Sequence, residues 1–363
     1  MLYNLLLFPS ISALLSYGGT GDGGGCGGGS FVARSDNRGN VRGSAELDDS
    51  AAADAFLDFQ RTFNKTYHDE AEAAAKAAVF EDNWKRIMQH NAEDHTFKLE
   101  INEYTDMTDD EWANHMLVRG GLELPAESPL EAEVDELRAD AQLPPAVDWL
   151  RAGVLSPVKN QGHCGGCWAF STTGALEARY HLLRKRPISL SEQELIDCGY
   201  ITGNHGCDGG LMGRGFEFVG RFGLDLEARY PYTAEEDYCY LERPRIFSGT
   251  YIEKVTRVLR GSEYHLMKAL TTGPVSVAVK ASSFHFKHYR SGVLTGSCGG
   301  RIDHGVLAVG YGVENGVEYW LVKNSWGGRW GERGYIKLAR NVATSDGLGQ
   351  CGILSYGVYP TLH

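Results

Sequence analysis

The stretch NQGHCGGCWAF, Asn160–Phe170, contains two cysteines three positions apart, Cys164 and Cys167. Such a pair can bind a metal, act as a redox dithiol, or place one nucleophilic thiol beside one structural sulfur. A tetrahedral zinc site needs a second close pair of ligands, and the sequence has no other CxxC. A thioredoxin-like dithiol follows a strand of a βαβ unit, whereas SPVKNQG before Cys164 is typical of a loop. The pattern therefore favours nucleophilic catalysis.

Cys167 opens the segment CWAFSTTGALEARYHLL, which predicts a helix that is ended by Pro187. A thiol in the first turn of a helix faces the positive end of the helix dipole, which lowers its pKa. A thiolate nucleophile also needs an imidazole, and the imidazole needs a group that orients it. DHGVLAVGYG places His304 at the start of a predicted strand, and KNSWG places Asn324 at the end of the next. Neighbouring strands of one sheet can bring these side chains together.

The hydrophobic pattern divides the chain into a helical first part and a mixed second part. A stripe of Ala55, Phe56, Phe59 and Phe63 predicts one helix, and an Ala-rich stretch predicts a longer one over roughly 70–91. Alternating apolar residues around 97–101 predict a short strand. Beyond residue 143, Ser191 to Glu194 indicates a capping box, and the runs GPVSVAV, HGVLAVGYG, EYWLVKNSW and GYIKLAR predict strands. Helices followed by strands favour an α+β fold with two facing lobes.

Charge is unevenly distributed along the chain. The net charge of −12 argues against a nucleic-acid partner. Residues 1–142 hold 11 Lys and Arg against 27 Asp and Glu, whereas residues 143–363 hold 24 against 20. The balances of −16 and +4 predict two parts that attract each other.

The cysteine count and the N-terminus indicate the secretory pathway. Seven of the eight cysteines follow residue 160, which fits three disulfides and one free thiol. LYNLLLFPSISALL has about the length of a signal-peptide core, and no later run is long enough for a membrane span. Cys26 lies in a low-complexity glycine tract, where an incidental cysteine is the simplest interpretation.

Four motifs, QGHCGGCWAF, CDGGLM, DHGVLAVGYG and KNSWG, together resemble the papain family of cysteine peptidases and its cathepsin L-like branch. The similarity covers about residues 50–363. The family signature C-G-[SA]-C-[WY] is followed with one departure, Gly166. The resemblance implies a papain-like α+β fold, with a helical lobe, a β-barrel-like lobe and an active-site cleft between them, preceded by a helical propeptide domain.

The resemblance also implies roles for individual residues. Cys167 matches the nucleophile, His304 the general base and later acid, Asn324 the residue that orients the imidazole, Gln161 the oxyanion-hole side chain, and Trp326 the aromatic that screens the His–Asn hydrogen bond. The implied substrate-binding residues are Gly209, Gly210, Leu211, Met212, Ala278, Gly305 and Tyr356. They predict a medium apolar side chain, such as Leu, at the second position before the cut, and no Glu is present to bind Arg there.

The implied disulfides are Cys164–Cys207, Cys198–Cys239 and Cys298–Cys351, a choice that spacing alone could not make. In the first part of the chain, two propeptide motifs are matched by Glu72, Lys76, Phe80, Asn83, Ile87, Asn91, Asn102, Tyr104 and Asp106. Glu100 and Tyr104 depart from the Gly and Phe that are usual in the second motif. Such a propeptide runs backward through the cleft and blocks it.

We therefore expect five segments: a signal peptide at 1–18, a Gly-rich segment at 19–47, a helical inhibitory propeptide at 48–115, a linker at 116–142 and the peptidase domain at 143–363. The expected activity is that of a cysteine endopeptidase made as a zymogen, without cofactor or metal. The alternative is a catalytically retired papain-like binding protein. Expected partners are protein and peptide substrates, the chain's own propeptide and cystatin-like inhibitors, for a monomer in a lysosome, a vacuole or the extracellular space. NKT at Asn64 is a candidate glycosylation site.

Overall fold

The computed structural model describes residues 49–125, 142–241 and 251–363. We call residues 49–125 the N-terminal segment, and residues 142–241 with 251–363 the C-terminal domain. The predicted signal peptide and Gly-rich segment lie outside the described residues. Across the part of the chain that is described, no helix combines the length and apolar character needed to cross a bilayer.

The secondary structure agrees with the order that the sequence predicts. The N-terminal segment contains α1 (Asp49–Phe63), α2 (Glu70–Ala92), β1 (Phe97–Leu99) and α3 (Asp109–Met116). The C-terminal domain contains β2 (Val147–Asp148), α4 (Cys167–Arg184), α5 (Glu192–Cys198), α6 (Met212–Phe222), β3 (Ile252–Arg257), α7 (Glu263–Thr272), β4 (Val275–Val279), α8 (Phe284–Lys287), β5 (Tyr289–Leu294), β6 (His304–Glu314), β7 (Val317–Lys323), β8 (Tyr335–Ala339) and β9 (Gly357–Leu362).

The N-terminal segment has a small aromatic core of its own. Phe59 from α1 packs against Phe80 from α2, with ring centroids 4.9 Å apart, and Trp84 completes the buried cluster. The predicted stripe of α1 faces this cluster, because Phe56 and Phe63 also pack against it. Asp69 caps α2 by accepting a hydrogen bond of 2.8 Å from the backbone N–H of Glu72.

The polar residues of the two motifs connect α2 to the chain that follows it. Asn83 donates to the carbonyls of Thr105 and Met107, and Asn91 forms hydrogen bonds of 2.8 and 2.9 Å with the backbone of Leu99. Phe80 and Ile87 are fully buried between these contacts. The asparagines therefore satisfy backbone groups that no helix or strand would satisfy.

The remaining motif residues hold α3 and the second motif in place. Lys76 reaches Glu111 of α3 at 2.8 Å, while Glu72 accepts a hydrogen bond from the backbone of His68 instead of pairing with Lys76. Asp106 binds Lys65 at 2.9 Å. Tyr104, which stands where Phe is usual, is buried at 5% exposure, and Asn102 donates to the Lys287 carbonyl at 2.7 Å.

A nine-stranded sheet forms the core of the second lobe, with the order β1-β5-β8-β7-β6-β4-β9-β3 and with β2 paired to β6. In the described residues this sheet is open at its ends, and together with the helical lobe it forms the papain-like α+β fold that the resemblance implies. At one end of the sheet, β1 of the N-terminal segment pairs with β5. At the other end, β3 pairs antiparallel with β9 and packs against α6.

Helices α4, α5 and α6 form the other lobe, and α4 lies across the sheet at β6. Buried hydroxyls join the two lobes, because Ser171 of α4 donates to the Val306 carbonyl at 2.7 Å and Ser276 of β4 donates to the Ser171 carbonyl at 2.9 Å. Helix α5 begins at the predicted cap, Ser191. The box is incomplete, since Glu194 accepts from the backbone of Asp225 rather than reaching back to Ser191.

A buried ionic cluster lies beside this contact. Lys159 reaches Glu177 at 2.9 Å and Glu192 at 2.6 Å, and Lys323 of β7 donates to the Ser156 carbonyl at 2.7 Å. Burial raises the pKa of Glu192 to about 7, and Lys159 opposes that rise. Because each charge is buried with a partner, loss of one partner would leave an uncompensated charge between the lobes.

The two cysteines of the stretch Asn160–Phe170 differ in their bonding: Cys164 forms a disulfide and Cys167 does not. Cys164 is bonded to Cys207, and the other two disulfides join Cys198 with Cys239 and Cys298 with Cys351, the pairs that the resemblance implies. Gly166, between Cys164 and Cys167, has an ordinary backbone conformation with φ −79°. A Cβ at this position would lie 2.7 Å from Ile196 Cδ1, so the side chain of Ile196 occupies the space of the missing one.

We predict that Gly166→Ala lowers the free energy of unfolding by about 1–3 kcal/mol, because the added methyl group overpacks against Ile196. Ile196→Val removes the conflicting Cδ1 and should recover part of this loss in the double variant. The measurement is a double-mutant cycle from denaturant unfolding. Gly328→Ala is the matched control, because a Cβ there meets nothing within 4 Å. Strictly additive effects of the two substitutions would contradict the packing argument.

Candidate active site

Cys167 is the first residue of α4, and its side chain faces the start of β6. The sulfur accepts a hydrogen bond of 3.2 Å from the backbone N–H of Gly305. Gly305 allows this approach because a Cβ there would lie 3.3 Å from Trp168 Cα and 3.1 Å from Met212 Sδ. Among the described residues, Cys167 is the cysteine that forms no disulfide, and it is fully buried.

His304 and Asn324 meet because β6 and β7 are antiparallel neighbours. Leu307 is paired with Lys323, which places the start of β6 beside the end of β7. Nε2 of His304 lies 2.8 Å from Oδ1 of Asn324. The Trp326 ring stacks on the imidazole with centroids 4.7 Å apart, and it is completely buried.

The second imidazole nitrogen is free to take part in proton exchange. Nδ1 of His304 is buried and has no hydrogen-bond partner among the described residues. His304 directly precedes Gly305, whose N–H contacts the Cys167 sulfur. The arrangement therefore combines a thiol, an adjacent imidazole and an amide that fixes the imidazole, as nucleophilic catalysis requires.

Gln161 is held firmly beside the thiol. Its Oε1 accepts a 2.6 Å hydrogen bond from the Ser325 hydroxyl, and its Nε2 donates to the Cys164 carbonyl at 3.0 Å. The sequence interpretation did not include Ser325, since a serine beside a strand end carries no distinctive signal. Its hydroxyl fixes the amide of Gln161 so that Nε2, a donor, points into the cleft.

The N-terminal segment occupies the cleft. Nε2 of Gln161 also donates to the carbonyl of Met116, the last residue of α3, at 3.0 Å. Val118 then donates to the Asp303 carbonyl at 3.0 Å, and Leu122 donates to the Ile302 carbonyl at 2.7 Å. Residues 116–124, expected to be part of a linker, therefore lie against the site itself.

Most of the predicted substrate-binding residues are brought together. Ala278 is paired with Gly305 across β4 and β6, and it donates to the Tyr356 carbonyl at 3.0 Å. The sulfur of Met212 lies against Gly305. Leu211 is buried next to Met212 in the chain, and its backbone N–H is bonded to Asn204.

The two glycines of CDGGLM serve close approaches. A Cβ on Gly209 would lie 2.5 Å from the Val118 side chain, so this position admits the N-terminal segment only as glycine. A Cβ on Gly210 would lie 2.7 Å from the Asn204 side chain and 2.9 Å from the Trp168 ring. Both glycines therefore shape the wall of the cleft next to Leu211.

Burial sets the protonation of the site in this closed state. Burial raises the pKa of the Cys167 thiol to about 12, although hydrogen bonds from Gly305 and Trp168 oppose the rise. Burial also lowers the pKa of His304 to about 4, against the effect of its bond to Asn324. The sequence predicted a lowered thiol pKa from the helix dipole. That prediction was wrong for this state, because removal of water from the sulfur outweighs the dipole.

No group of three His, Cys, Asp or Glu side chains within residues 49–125, 142–241 and 251–363 is arranged to hold a metal ion.

Comparisons with known proteins agree with this geometry. Residues 143–361 match the papain family cysteine protease domain, and residues 56–112 match the cathepsin propeptide inhibitor domain (I29). The chain is 40% identical over 324 residues to the senescence-specific cysteine protease SAG39 of Oryza sativa subsp. indica, which covers 88% of this chain and 94% of that protein.

Solved structures of precursors are similar in fold. Recombinant stem bromelain precursor superimposes with a TM-score of 0.75 and 35% identity, over 85% of this chain and 98% of that chain. Digestive procathepsin L 3 of Tenebrio molitor larval midgut superimposes with a TM-score of 0.75 and 36% identity, over 85% of this chain and 99% of that chain. The chain therefore belongs to the papain family of cysteine proteases, and it carries the inhibitory propeptide domain of the cathepsins.

Proposed function

We propose that the protein is a cysteine endopeptidase with Cys167 as nucleophile, His304 as acid and base, Asn324 as the group that orients His304, and Gln161 as an oxyanion donor. The main supporting observation is the 3.0 Å hydrogen bond from Gln161 Nε2 to the Met116 carbonyl. A backbone carbonyl bound at this donor, beside a free thiol, occupies the place that a scissile carbonyl would take.

The reaction follows from these positions. The Cys167 thiolate attacks the carbonyl carbon, and the electron pair of the C=O bond moves to the oxygen, where Gln161 Nε2 stabilises the negative charge. Protonated His304 then gives its proton to the leaving amine nitrogen as the C–N bond breaks. Water attacks the carbonyl carbon of the resulting thioester and His304 accepts the water proton. The C–S bond then breaks, so the carboxylic acid product leaves and the Cys167 thiolate beside protonated His304 is restored. A preorganised donor such as Gln161 contributes about 3–4 kcal/mol to the first step.

The site is inactive while the N-terminal segment is bound. A thiol with a raised pKa and an imidazole with a lowered pKa are both uncharged at neutral pH. We propose that departure of the segment admits water, removes the burial that causes both shifts, and allows the thiolate–imidazolium pair to form. Occlusion and loss of charge would then keep the zymogen latent together.

An apolar pocket supports the proposed preference for Leu at the second position before the cut. Met212, Ala278 and Tyr356 belong to the same buried apolar cluster. The Arg257 guanidinium lies 5.5 Å from the centroid of the Tyr356 ring, which is part of this cluster. A basic substrate side chain would lose water there and meet a positive charge, so Arg should be a poor substrate residue.

The cellular setting follows from the chemistry of the chain. Three disulfides favour an oxidising compartment, so we propose a lysosome, a vacuole or the extracellular space. Protein and peptide substrates are the expected partners, and cystatin-like inhibitors and a monomeric state stay proposals. Asn64 is exposed in the turn after α1, with φ 50°, so the sequon is accessible to a glycosyltransferase.

The charge balances of −16 and +4 suggest that acid weakens docking of the N-terminal segment by protonating its carboxylates, and we propose that imidazoles at the interface also contribute to acid release. The rings of His90 and His95 from the segment stack with centroids 4.0 Å apart, and His285 of α8 lies 5.2 Å from His90. They border a cavity of about 490 Å³ at the interface. The other charged and titratable groups around this histidine cluster are Arg86, Glu93, Lys98, Lys287 and His288.

The directions of the pKa shifts support a role for the histidine cluster in acid release. Burial lowers the pKa of His90 and of His285 from the ordinary 6.5, so both take up a proton more readily when the segment leaves. Docking is therefore strongest above that pH and weakens as the pH falls through it. Burial raises the pKa of Glu100 to about 7, and protonation of that carboxyl favours the docked state. Glu100 therefore opposes acid release.

An active-site label tests the catalytic proposal. An epoxide inhibitor should alkylate the acid-activated protein at Cys167, and the label should be absent from Cys167→Ala, because no other described thiol is free. Mass spectrometry of the labelled peptide gives the site. A folded, processed protein that takes up no label would indicate the alternative of a retired binding protein.

Paired peptides test the pocket. Substrates with Leu, Arg or citrulline at the second position before the cut should give kcat/KM values in the order Leu, citrulline, Arg. The gap between Leu and Arg should be at least about tenfold, because an unpaired guanidinium is costly to bury. Citrulline has the size of Arg without its charge and separates the two effects. Equal rates for Leu and Arg would contradict the pocket assignment.

The pH profile of activation tests the histidine cluster. His90→Gln with His285→Gln should move the pH midpoint of zymogen activation about half a unit to one unit lower, since two acid-sensitive groups are lost. His68→Gln is the control, because its side chain is 90% exposed. An unchanged midpoint would contradict the role of the cluster. Equal inhibition by isolated propeptide at about pH 4.5 and about pH 7 would contradict acid release altogether.

A further inference from the structure

Four basic residues of the C-terminal domain lie near the buried rings of Trp326 and Trp330, beside His304. Lys287 ends α8, Arg290 lies in β5, and Arg329 and Arg333 belong to the loop between β7 and β8. The loop packs on the α8–β5 corner, since Trp330 Nε1 donates to the Lys287 carbonyl at 3.1 Å. We call Lys287, Arg290, Arg329 and Arg333 the basic strip.

The N-terminal segment places acidic and aromatic side chains on the basic strip. Glu100 reaches Arg290 at 3.2 Å, and Glu103 reaches Arg329 at 3.9 Å. The Phe63 ring lies under the Arg329 guanidinium at 5.4 Å. A cavity of about 300 Å³, bordered by these residues and by Arg333, remains between the two surfaces.

Lys287 shows most clearly what departure of the segment would leave behind. Its side chain is fully buried, and its ammonium group contacts two oxygens of the segment, the Met107 carbonyl at 2.5 Å and the Asp109 carboxylate at 3.5 Å. Both contacts are lost when the segment leaves. The departing segment removes both oxygens and opens the Lys287 ammonium group to water, so the mature surface presents a positive charge with which an anionic group can pair.

The surrounding residues do not neutralise the strip. Glu332 is the nearby carboxylate of the same loop, and it is engaged by Lys337 at 2.9 Å and by the Gly292 N–H at 2.9 Å. Lys337 also pairs with Glu314 at 2.6 Å, so it offsets Glu332 only in part, and this one carboxylate is outnumbered by the four cations of the strip. In the closed state, the opposing charge for the strip comes from Glu100, Glu103 and Asp109 of the N-terminal segment.

The position of the strip relative to the scissile bond follows from the path of the segment. Met116 marks the oxyanion donor, and Val118 lies against Gly209, on the side of the cleft that holds the proposed pocket. Helix α3, which ends at Met116, therefore covers the opposite side, where Trp112 packs against Trp326 with centroids 5.3 Å apart. That side receives the substrate residues after the cut.

We infer that the basic strip of the mature enzyme binds acidic side chains of protein substrates downstream of the scissile bond. This inference rests on the proposed function, because it needs peptide hydrolysis at Cys167. The N-terminal segment gives an estimate of the distance from the scissile bond to the basic strip. Asp109 precedes Met116 by seven residues of helix, about 10 Å, which an extended substrate covers in about three residues. Acidic residues should therefore act from about the third position after the cut onward.

Internally quenched peptides test the inference on the acid-activated enzyme. Two peptides share the same sequence with Leu two positions before the cut, and differ only in two Glu or two Gln placed three and six positions after it. The Glu peptide should have a kcat/KM about threefold to tenfold higher at low salt, from two partly exposed ion pairs. Raising the salt to about 0.5 M should bring the ratio close to one, because exposed charges are then screened.

The variant Arg290→Gln with Arg329→Gln should abolish the advantage of the Glu peptide. The readout is the Glu to Gln ratio within each enzyme, so a partly folded preparation does not affect it. Arg221→Gln with Arg229→Gln removes the same charge from the other lobe and should keep the ratio. A ratio of one in the unaltered enzyme, or an undiminished ratio in Arg290→Gln with Arg329→Gln, overturns the inference. If neither peptide is cleaved, the proposed function itself fails.

Discussion

The close contact between the first turn of α4 and the first residues of β6 is the constraint on which the site depends. The Gly305 N–H meets the Cys167 sulfur at 3.2 Å, and no side chain would fit at Gly305 without displacing Met212 or the backbone of Trp168. This contact joins the helical lobe to the sheet at one point. It fixes the thiol beside His304, and the β6–β7 register then places Asn324 behind the imidazole. The cleft is the groove that the two lobes leave around this point.

Latency has a simple physical basis in this arrangement. The N-terminal segment supplies a carbonyl to Gln161 and removes water from the thiol and the imidazole at the same time. Because a charge is far less stable without water, both groups are held neutral. The same helix start that would stabilise a thiolate in an open cleft cannot do so under the segment. Inhibition and protonation are therefore two consequences of one burial event.

The interface that holds the segment is polar and charged around its aromatic centre. The histidine cluster lies at one part of it, and the basic strip lies at another, where Arg290 pairs with Glu100. An interface of this kind responds to pH and salt more than an apolar one, because its charges are only partly shielded from water. In our proposal, loss of the segment also leaves a cationic surface on the mature enzyme, on the side of the cleft that receives the product amine.

The sequence is enough to predict the groups of the proposed active site and their setting: the free thiol at a helix start, the imidazole and amide at two strand ends, the α+β order of elements and the helical propeptide. These follow from local patterns, since periodicity and motif spacing act over short stretches of chain. The tertiary structure alone decided the open sheet, the role of Ser325, the filling of the space at Gly166 by Ile196, and the path of residues 116–124 through the cleft. It also decided the sign of the Cys167 pKa shift. Those features depend on which distant residues come into contact and exclude water, and no local pattern records that.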